Sequence, residues 1–214
     1  MPIRVKICGI TRFTDAELAV ELGAAALGFN FYPDSSRYVA PEAAREIICR
    51  AVPPLVVTVG VFADETDVQH VLTVAKEAGV SAIQLHGPRF PNFDNGFCWP
   101  RPVIRAVAVD ENFQPESLRD RPRDGASAIM LDAHHPVLRG GTGQTIDWAK
   151  AREAKKYCHV ILAGGLTPEN VGEAIRKVRP FAVDVASGVE ASPGVKDASK
   201  LRSFFAAVRE ADET

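Results

Sequence analysis

The sequence predicts a closed (β/α)8 barrel forming a single domain, residues 1–214, and three observations carry that expectation. Eight short β-branched runs alternate with helical patterns from end to end. The repeat averages about 27 residues, the size of one βα unit. No linker or low-complexity stretch interrupts the 214 residues. An open doubly wound sheet would usually show about five or six strands and a GxGxxG turn after the first. Here that turn reads CGIT.

The strands are expected at 3–8, 25–31, 55–62, 81–86, 102–108, 127–132, 159–163 and 181–186, where apolar β-formers cluster in runs of strand length. Helices are expected near 14–22, 41–50, 65–78, 115–120, 146–156, 168–178 and 197–210. Pro41-Glu42, Asp64-Glu65, Thr167-Pro168-Glu169 and Lys196-Asp197 place a proline or an acid in a first turn, with Asp64 and Thr167 as candidate caps. Gly23 and Gly79 read as helix stops. The segment 88–101, with its prolines and scattered aromatics, spoils any helical period and reads as an irregular or short fourth helix.

Composition removes several function classes. Apolar residues make up 46% and charged residues 24%, a globular balance. The net charge of -2, with both signs mixed along the chain, offers no basic patch for nucleic acid. The longest apolar runs, such as 53–63, are too short for a membrane span, and the start MPIRVKICGI lacks a secretory signal. A cytoplasmic protein is expected. Cys8, Cys49, Cys98 and Cys158 form no CxxC pair, so disulfides and a cysteine metal site are not expected, and all but Cys8 read as small buried hydrophobes. His86 and the adjacent His134-His135 lack ligand spacing, so no metal is expected either.

The two-residue period of strands fixes which side chains face the barrel. In the first strand Ile3, Val5 and Ile7 should face the helices, leaving Arg4, Lys6 and Cys8 inward. In the sixth, Ile129 and Leu131 face outward and Asp132 faces the mouth. Active sites of this fold lie at the C-terminal ends of the strands, so Cys8 and Asp132 form a candidate acid–base pair. Gly164-Gly165 after strand seven and Ser187-Gly188 after strand eight occupy the loops that commonly hold phosphate, where glycine admits backbone amides close to the anion. Gly140-Gly141-Thr142-Gly143, after strand six, is a further glycine cluster suited to cover a ligand, with Gly143 added to the phosphate set. Arg37 suits a carboxylate partner. Asp184 reads as a satisfied interior polar group, and Trp99 and Trp148 as packing residues.

KICGIT at 6–11, GFNFYPDSSRYV at 28–39, VGVF at 59–62, QLHG at 84–87, LDAHHPVLRGGTGQTIDW at 131–148, LAGGLTPENV at 162–171 and RPFAVDVASGVEASPGVKD at 179–197 resemble, in order and over nearly the whole chain, the phosphoribosylanthranilate isomerases of tryptophan biosynthesis. The resemblance implies an Amadori rearrangement of N-(5-phosphoribosyl)anthranilate to 1-(2-carboxyphenylamino)-1-deoxyribulose 5-phosphate. It implies Cys8 as general base, Asp132 as general acid, Arg37 on the anthranilate carboxylate, and Gly164, Gly165, Ser187 and Gly188 on the phosphate. No cofactor is implied, since the imine nitrogen serves as electron sink. The implied partner is a phosphorylated small molecule, with the chain a monomer or homodimer. Ala186 departs from the family's usual DVSSGVE, which removes one hydroxyl but leaves Ser187. An indole-glycerol-phosphate synthase would usually carry a lysine acid and an N-terminal extension. A histidine-pathway isomerase would carry an aspartate in place of Cys8, and a silent phosphate-binding barrel would need neither Cys8 nor Asp132.

Overall fold

The computed structural model describes residues 2–87, 99–119, 125–133 and 146–213. Eight parallel strands close into a barrel in chain order: β1 (Arg4–Cys8), β2 (Ala26–Asn30), β3 (Val57–Ala63), β4 (Ala82–His86), β5 (Val103–Val109), β6 (Ala128–Ala133), β7 (Val160–Leu162) and β8 (Ala182–Val185). Around them run α1 (Phe13–Leu22), α2 (Pro41–Ala51), α3 (Val68–Ala78), α4 (Trp148–Ala154), α5 (Val171–Val178) and α6 (Ala198–Asp212). Every expected strand is present to within one or two residues. The expected helix at 115–120 is a single 3-10 turn, Pro115–Leu118. Most of the segment 88–101 lies outside the described residues, although Trp99 is buried as a packing residue should be.

Two helix starts fall later than expected. Asp67, not Asp64, caps α3 by accepting from the amides of Gln69 and His70. Asp64 instead takes a left-handed turn, φ 51°, with its amide on the His86 carbonyl. Helix α5 begins at Val171 because Thr167 and Asn170 are tied to each other: the Thr167 amide donates to Asn170 Oδ1. Thr167 Oγ1 accepts only from Glu169. The expected start at 197 holds, with Asp197 Oδ1 accepting from Ser199 and Lys200. Gly23 and Gly79 end α1 and α3 in left-handed conformation, where a side chain is strained.

Apolar side chains form two separate layers. Val5, Ile7, Leu27, Ile83, Leu131 and Val183 face outward into the large cluster shared with the helices. Inside the barrel a smaller cluster joins Ala106, Met130, Ile161, Ala163 and Ala182. This is the alternation expected of strands covered on one face and packed on the other. At the N-terminal end Arg4 lies over the Phe181 ring, 4.4 Å from its centroid. Cys49 is exposed on α2 rather than buried, Cys158 is half-buried on the Ala154 carbonyl, and Cys98 lies outside the described residues. No described helix is long and apolar enough to cross a membrane.

Burial sets the mutational ledger. Leu131→Ala, in a fully buried position, is expected to lower the unfolding free energy by about 2–5 kcal/mol in urea titration. Leu55, 95% exposed between α2 and β3, tolerates alanine to within about 0.5 kcal/mol.

Candidate active site

The C-terminal strand ends surround a cavity of about 370 Å³. Cys8 and Asp132, from opposite parts of the ring, both line it, as do Arg37, Gly164, Gly165, Ser187 and Gly188. Seven of the eight expected site residues therefore meet around one cavity. The eighth, Gly143, lies outside the described residues, as do His134 and His135. Sequence reasoning gave His86 and Asp184 no catalytic role; both line the cavity.

The floor is charged. Lys6 on β1 and Asp184 on β8 are register neighbours at the seam where the barrel closes. Lys6 Nζ donates to Asp184 Oδ1 at 2.7 Å, with the side chains only 3% and 9% exposed. Asp184 is thus the satisfied interior group expected of it. Burial alone would lower the Lys6 pKa, but Asp184 and Cys8 outweigh it and hold the ammonium firmly charged. The two-residue spacing of Lys6 and Cys8 does let them act on each other: the ammonium draws the thiol toward thiolate, and Cys8 in turn helps hold the ammonium charged. Gly28, the register partner of Cys8 on β2, leaves room for both side chains. A Cβ there would stand 2.8 Å from Cys8 Sγ and 3.1 Å from Lys6 Nζ.

Both candidate catalytic groups are displaced upward by burial. The Cys8 thiol is raised above its ordinary value by desolvation, against the downward pull of Lys6 and, further off, Lys196. Asp132 is pushed up from 3.8 to about 6, first by desolvation and then by the charge of Asp184; the Ala133 amide and Lys6 oppose this. Asp132 therefore keeps its proton to about pH 6, while the Cys8 thiol is a weaker acid than a free one.

The loops after β7 and β8 interlock closely. A Cβ on Gly188 would fall 1.9 Å from the Leu166 carbonyl, and one on Gly164 2.5 Å from the Ala133 amide. Only glycine fits either place. Gly164 and Gly165 also have positive φ, 79° and 62°. The single turn Ser187–Val189 follows β8, and residues of both loops line the cavity.

A second network was not foreseen. Arg37 is not an unpaired surface charge: its Nε and Nη2 donate to Glu190 Oε1 and Oε2 at 2.9 and 2.7 Å. Lys196 Nζ donates to Glu190 Oε1 at 2.8 Å, the Cys8 carbonyl at 2.6 Å and the Ala186 carbonyl at 3.1 Å. Glu190 and Lys196 belong to an antiparallel hairpin, β9 (Glu190–Ser192) and β10 (Val195–Lys196). In sequence only the charges within VEASPGVK hinted at it, and nothing indicated their partners. Among the described residues no group of three or more His, Cys, Asp or Glu side chains is placed to hold a metal.

The raised Asp132 pKa has a consequence for stability. A carboxyl that binds its proton more tightly folded than unfolded stabilises the fold below pH 3.8, and that contribution is lost as pH rises through about 6. Asp132→Asn is therefore expected to be more stable than wild type at pH 8 by about 3 kcal/mol, with no difference near pH 3.5. Denaturant titration at the two pH values checks the direction.

Comparisons with known proteins show the family. Residues 5–207 match the family model described as N-(5'phosphoribosyl)anthranilate (PRA) isomerase. An N-(5'-phosphoribosyl)anthranilate isomerase of Geobacter sp. (strain M21) is 48% identical over 205 residues, covering 95% of this chain and 96% of that protein. Its counterpart in Chlorobium luteolum is 42% identical, covering 98% and 99%. The crystal structure of the Thermus thermophilus enzyme superposes with a TM-score of 0.83 at 43% identity, over 97% of this chain and 99% of that one. A further isomerase structure, in complex with reduced 1-(o-carboxyphenylamino)-1-deoxyribulose 5-phosphate, matches with a TM-score of 0.77 at 38% identity, over 97% and 99%. The chain belongs to the N-(5'-phosphoribosyl)anthranilate isomerase family, the isomerases of tryptophan biosynthesis.

Proposed function

We propose that the isomerase reaction of this chain, the Amadori rearrangement of N-(5-phosphoribosyl)anthranilate, runs on Asp132 as general acid and Cys8 as general base. The observation that carries the assignment is the pair itself. Two titratable groups line one cavity at the strand ends, and the aspartate keeps its proton to about pH 6.

Asp132 protonates the furanose ring oxygen, and the ring opens to an iminium ion. Cys8, as thiolate, removes the proton on C2, and the electron pair moves into the imine to give an enolamine. Tautomerisation yields the ketone. Each group contributes about 10²–10⁴-fold. The phosphate lies against the loops of Gly164, Gly165, Ser187 and Gly188. Within the described residues, the amides of Gly164 and Gly165 donate no backbone hydrogen bond, and so remain available to an anion. Gly143, from the glycine cluster that follows β6 in sequence, is assigned to the same set. Arg37 takes the anthranilate carboxylate with the three N–H donors that Glu190 leaves over from the five a guanidinium carries. One relative, from Thermotoga maritima, is described as dimeric; for this chain a monomer or a homodimer fits the reading equally.

Cys8→Ala and Asp132→Asn are expected to lower kcat by at least about 10²-fold with little change in KM, in a fluorescence assay of substrate loss. Near-normal kcat removes the residue from its role. Arg37→Met should raise KM by about tenfold or more; an unchanged KM removes the carboxylate contact.

The raised pKa values predict the pH profile as well. The productive form holds Asp132 protonated and Cys8 ionised, a small fraction at any pH because the thiol is the weaker acid. Wild-type kcat/KM should climb to about pH 6, stay level, and fall only above the raised Cys8 pKa. The residual activity of Asp132→Asn should instead keep climbing with pH up to the thiol. A break near pH 6 that survives in Asp132→Asn would assign that limb to another group.

A further inference from the structure

Arg37 and Cys8 are tied together by side chains that are not expected to touch substrate. We propose that Glu190 is a positioning residue of this site: its carboxylate, held by Lys196, aims the Arg37 guanidinium at the substrate carboxylate. The inference rests on the carboxylate role given to Arg37 above.

Glu190 is buried, and both of its carboxylate oxygens are engaged. Oε1 accepts from Arg37 Nε and Lys196 Nζ, and Oε2 from Arg37 Nη2. Arg37 and Lys196 together more than offset the burial that would raise its pKa, so Glu190 stays ionised. Fork-on pairing fixes the guanidinium plane as well as its position. The stem of Arg37 is fixed too, because it crosses Gly9, where a Cβ would stand 2.6 Å from Arg37 Cδ. With stem and inner edge both held, the outer N–H groups have one orientation.

Lys196 fixes Glu190 in turn. All three of its ammonium donors are used, on Glu190, the Cys8 carbonyl and the Ala186 carbonyl. Its own amide donates to Asp15 Oδ2 on α1 at 2.9 Å, and Lys200 Nζ on α6 holds the Glu190 carbonyl at 2.8 Å. The hairpin thereby links the β1 end bearing the base, the β8 end leading to the phosphate loop, and Arg37. Within this frame Lys196 itself bonds the Cys8 and Ala186 carbonyls, while the Glu190 carboxylate holds the inner edge of the Arg37 guanidinium, so loss of Glu190 falls on the carboxylate contact rather than on the base or the phosphate loop.

Positioning and simple charge make opposite predictions. Glu190 is an anion beside a binding cation, so its removal, judged by charge alone, should tighten carboxylate binding. If Glu190 positions Arg37, its removal loosens it. The test compares Glu190→Gln, Arg37→Met and wild type on two substrates, phosphoribosylanthranilate and the analogue made from aniline, which lacks the carboxylate. Arg37→Met is expected to abolish the preference for the carboxylate substrate. Glu190→Gln is expected to raise KM for that substrate by about tenfold, with kcat within about threefold and KM for the aniline analogue unchanged.

An unchanged or lower KM on the carboxylate substrate overturns the proposal, as does an equal loss on both substrates, which is what general disorder of the site would give. If Glu190→Gln does not fold, Glu190→Asp reads the same point, since it keeps the charge but is one methylene too short to span Arg37 and Lys196. The same rise confined to the carboxylate substrate supports the proposal, and equal KM values overturn it. Should Arg37→Met retain the substrate preference, the carboxylate reading itself fails and the role of Glu190 falls with it.

Discussion

The site depends on one ion pair at the seam of the barrel. Lys6 and Asp184 sit on the first and last strands, directly across the register that closes the cylinder, with almost no exposed surface. Removing one partner of such a pair leaves a buried charge uncompensated, at a cost of about 3–5 kcal/mol. Its value to the chemistry lies in orientation. For Cys8 the pull of Lys6 outweighs the push of Asp184, which favours thiolate. For Asp132 the order is reversed, and Asp184 outweighs Lys6, which favours the protonated acid. A single dipole across the floor thus serves two groups whose requirements are opposite.

Burial acts on both groups in the same direction and helps only one. Asp132 gains a proton that it can give at neutral pH; Cys8 is made a weaker acid, and the lysines recover part of the loss. A site of low polarity is nonetheless where proton transfer and anion binding gain most from fixed dipoles. The second network, Arg37–Glu190–Lys196, extends the same arrangement, with the buried Lys196 ammonium sharing its donors between a carboxylate and the carbonyls of Cys8 at the end of β1 and Ala186 just past β8.

Much of this was legible in the sequence because it follows from period. Alternation along β1 and β6 places Cys8, Lys6 and Asp132 inward whatever the surrounding detail, and the strand-end rule of this fold places the glycine loops. The glycine pairs were visible as pairs, although the reason for Gly188, a carbonyl of the neighbouring loop 1.9 Å from any Cβ, depends on two segments meeting. Helix starts were read less well. Asp64 and Asp67 are both acids before the same helix, and only the turn taken by Asp64 decides between them. The partner of Arg37 was not legible. Glu190 lies 153 positions away, in a hairpin of two and three residues per strand too short to show a period. The closeness of Lys6 and Cys8 likewise depends on Gly28, a residue of another strand.

The division of labour between Asp132 and Cys8 places ring opening before removal of the C2 proton, and one measurement separates the two steps. Substrate carrying deuterium at C2 of the ribose would be turned over by Cys8→Ser and by Asp132→Asn, and kcat compared with that for unlabelled substrate. A base weakened at Cys8 makes C2–H cleavage limiting, so Cys8→Ser should show a large primary isotope effect. An acid lost at Asp132 slows the earlier step, so Asp132→Asn should show a ratio close to unity. A large effect in Asp132→Asn with none in Cys8→Ser would contradict the assignment of both residues.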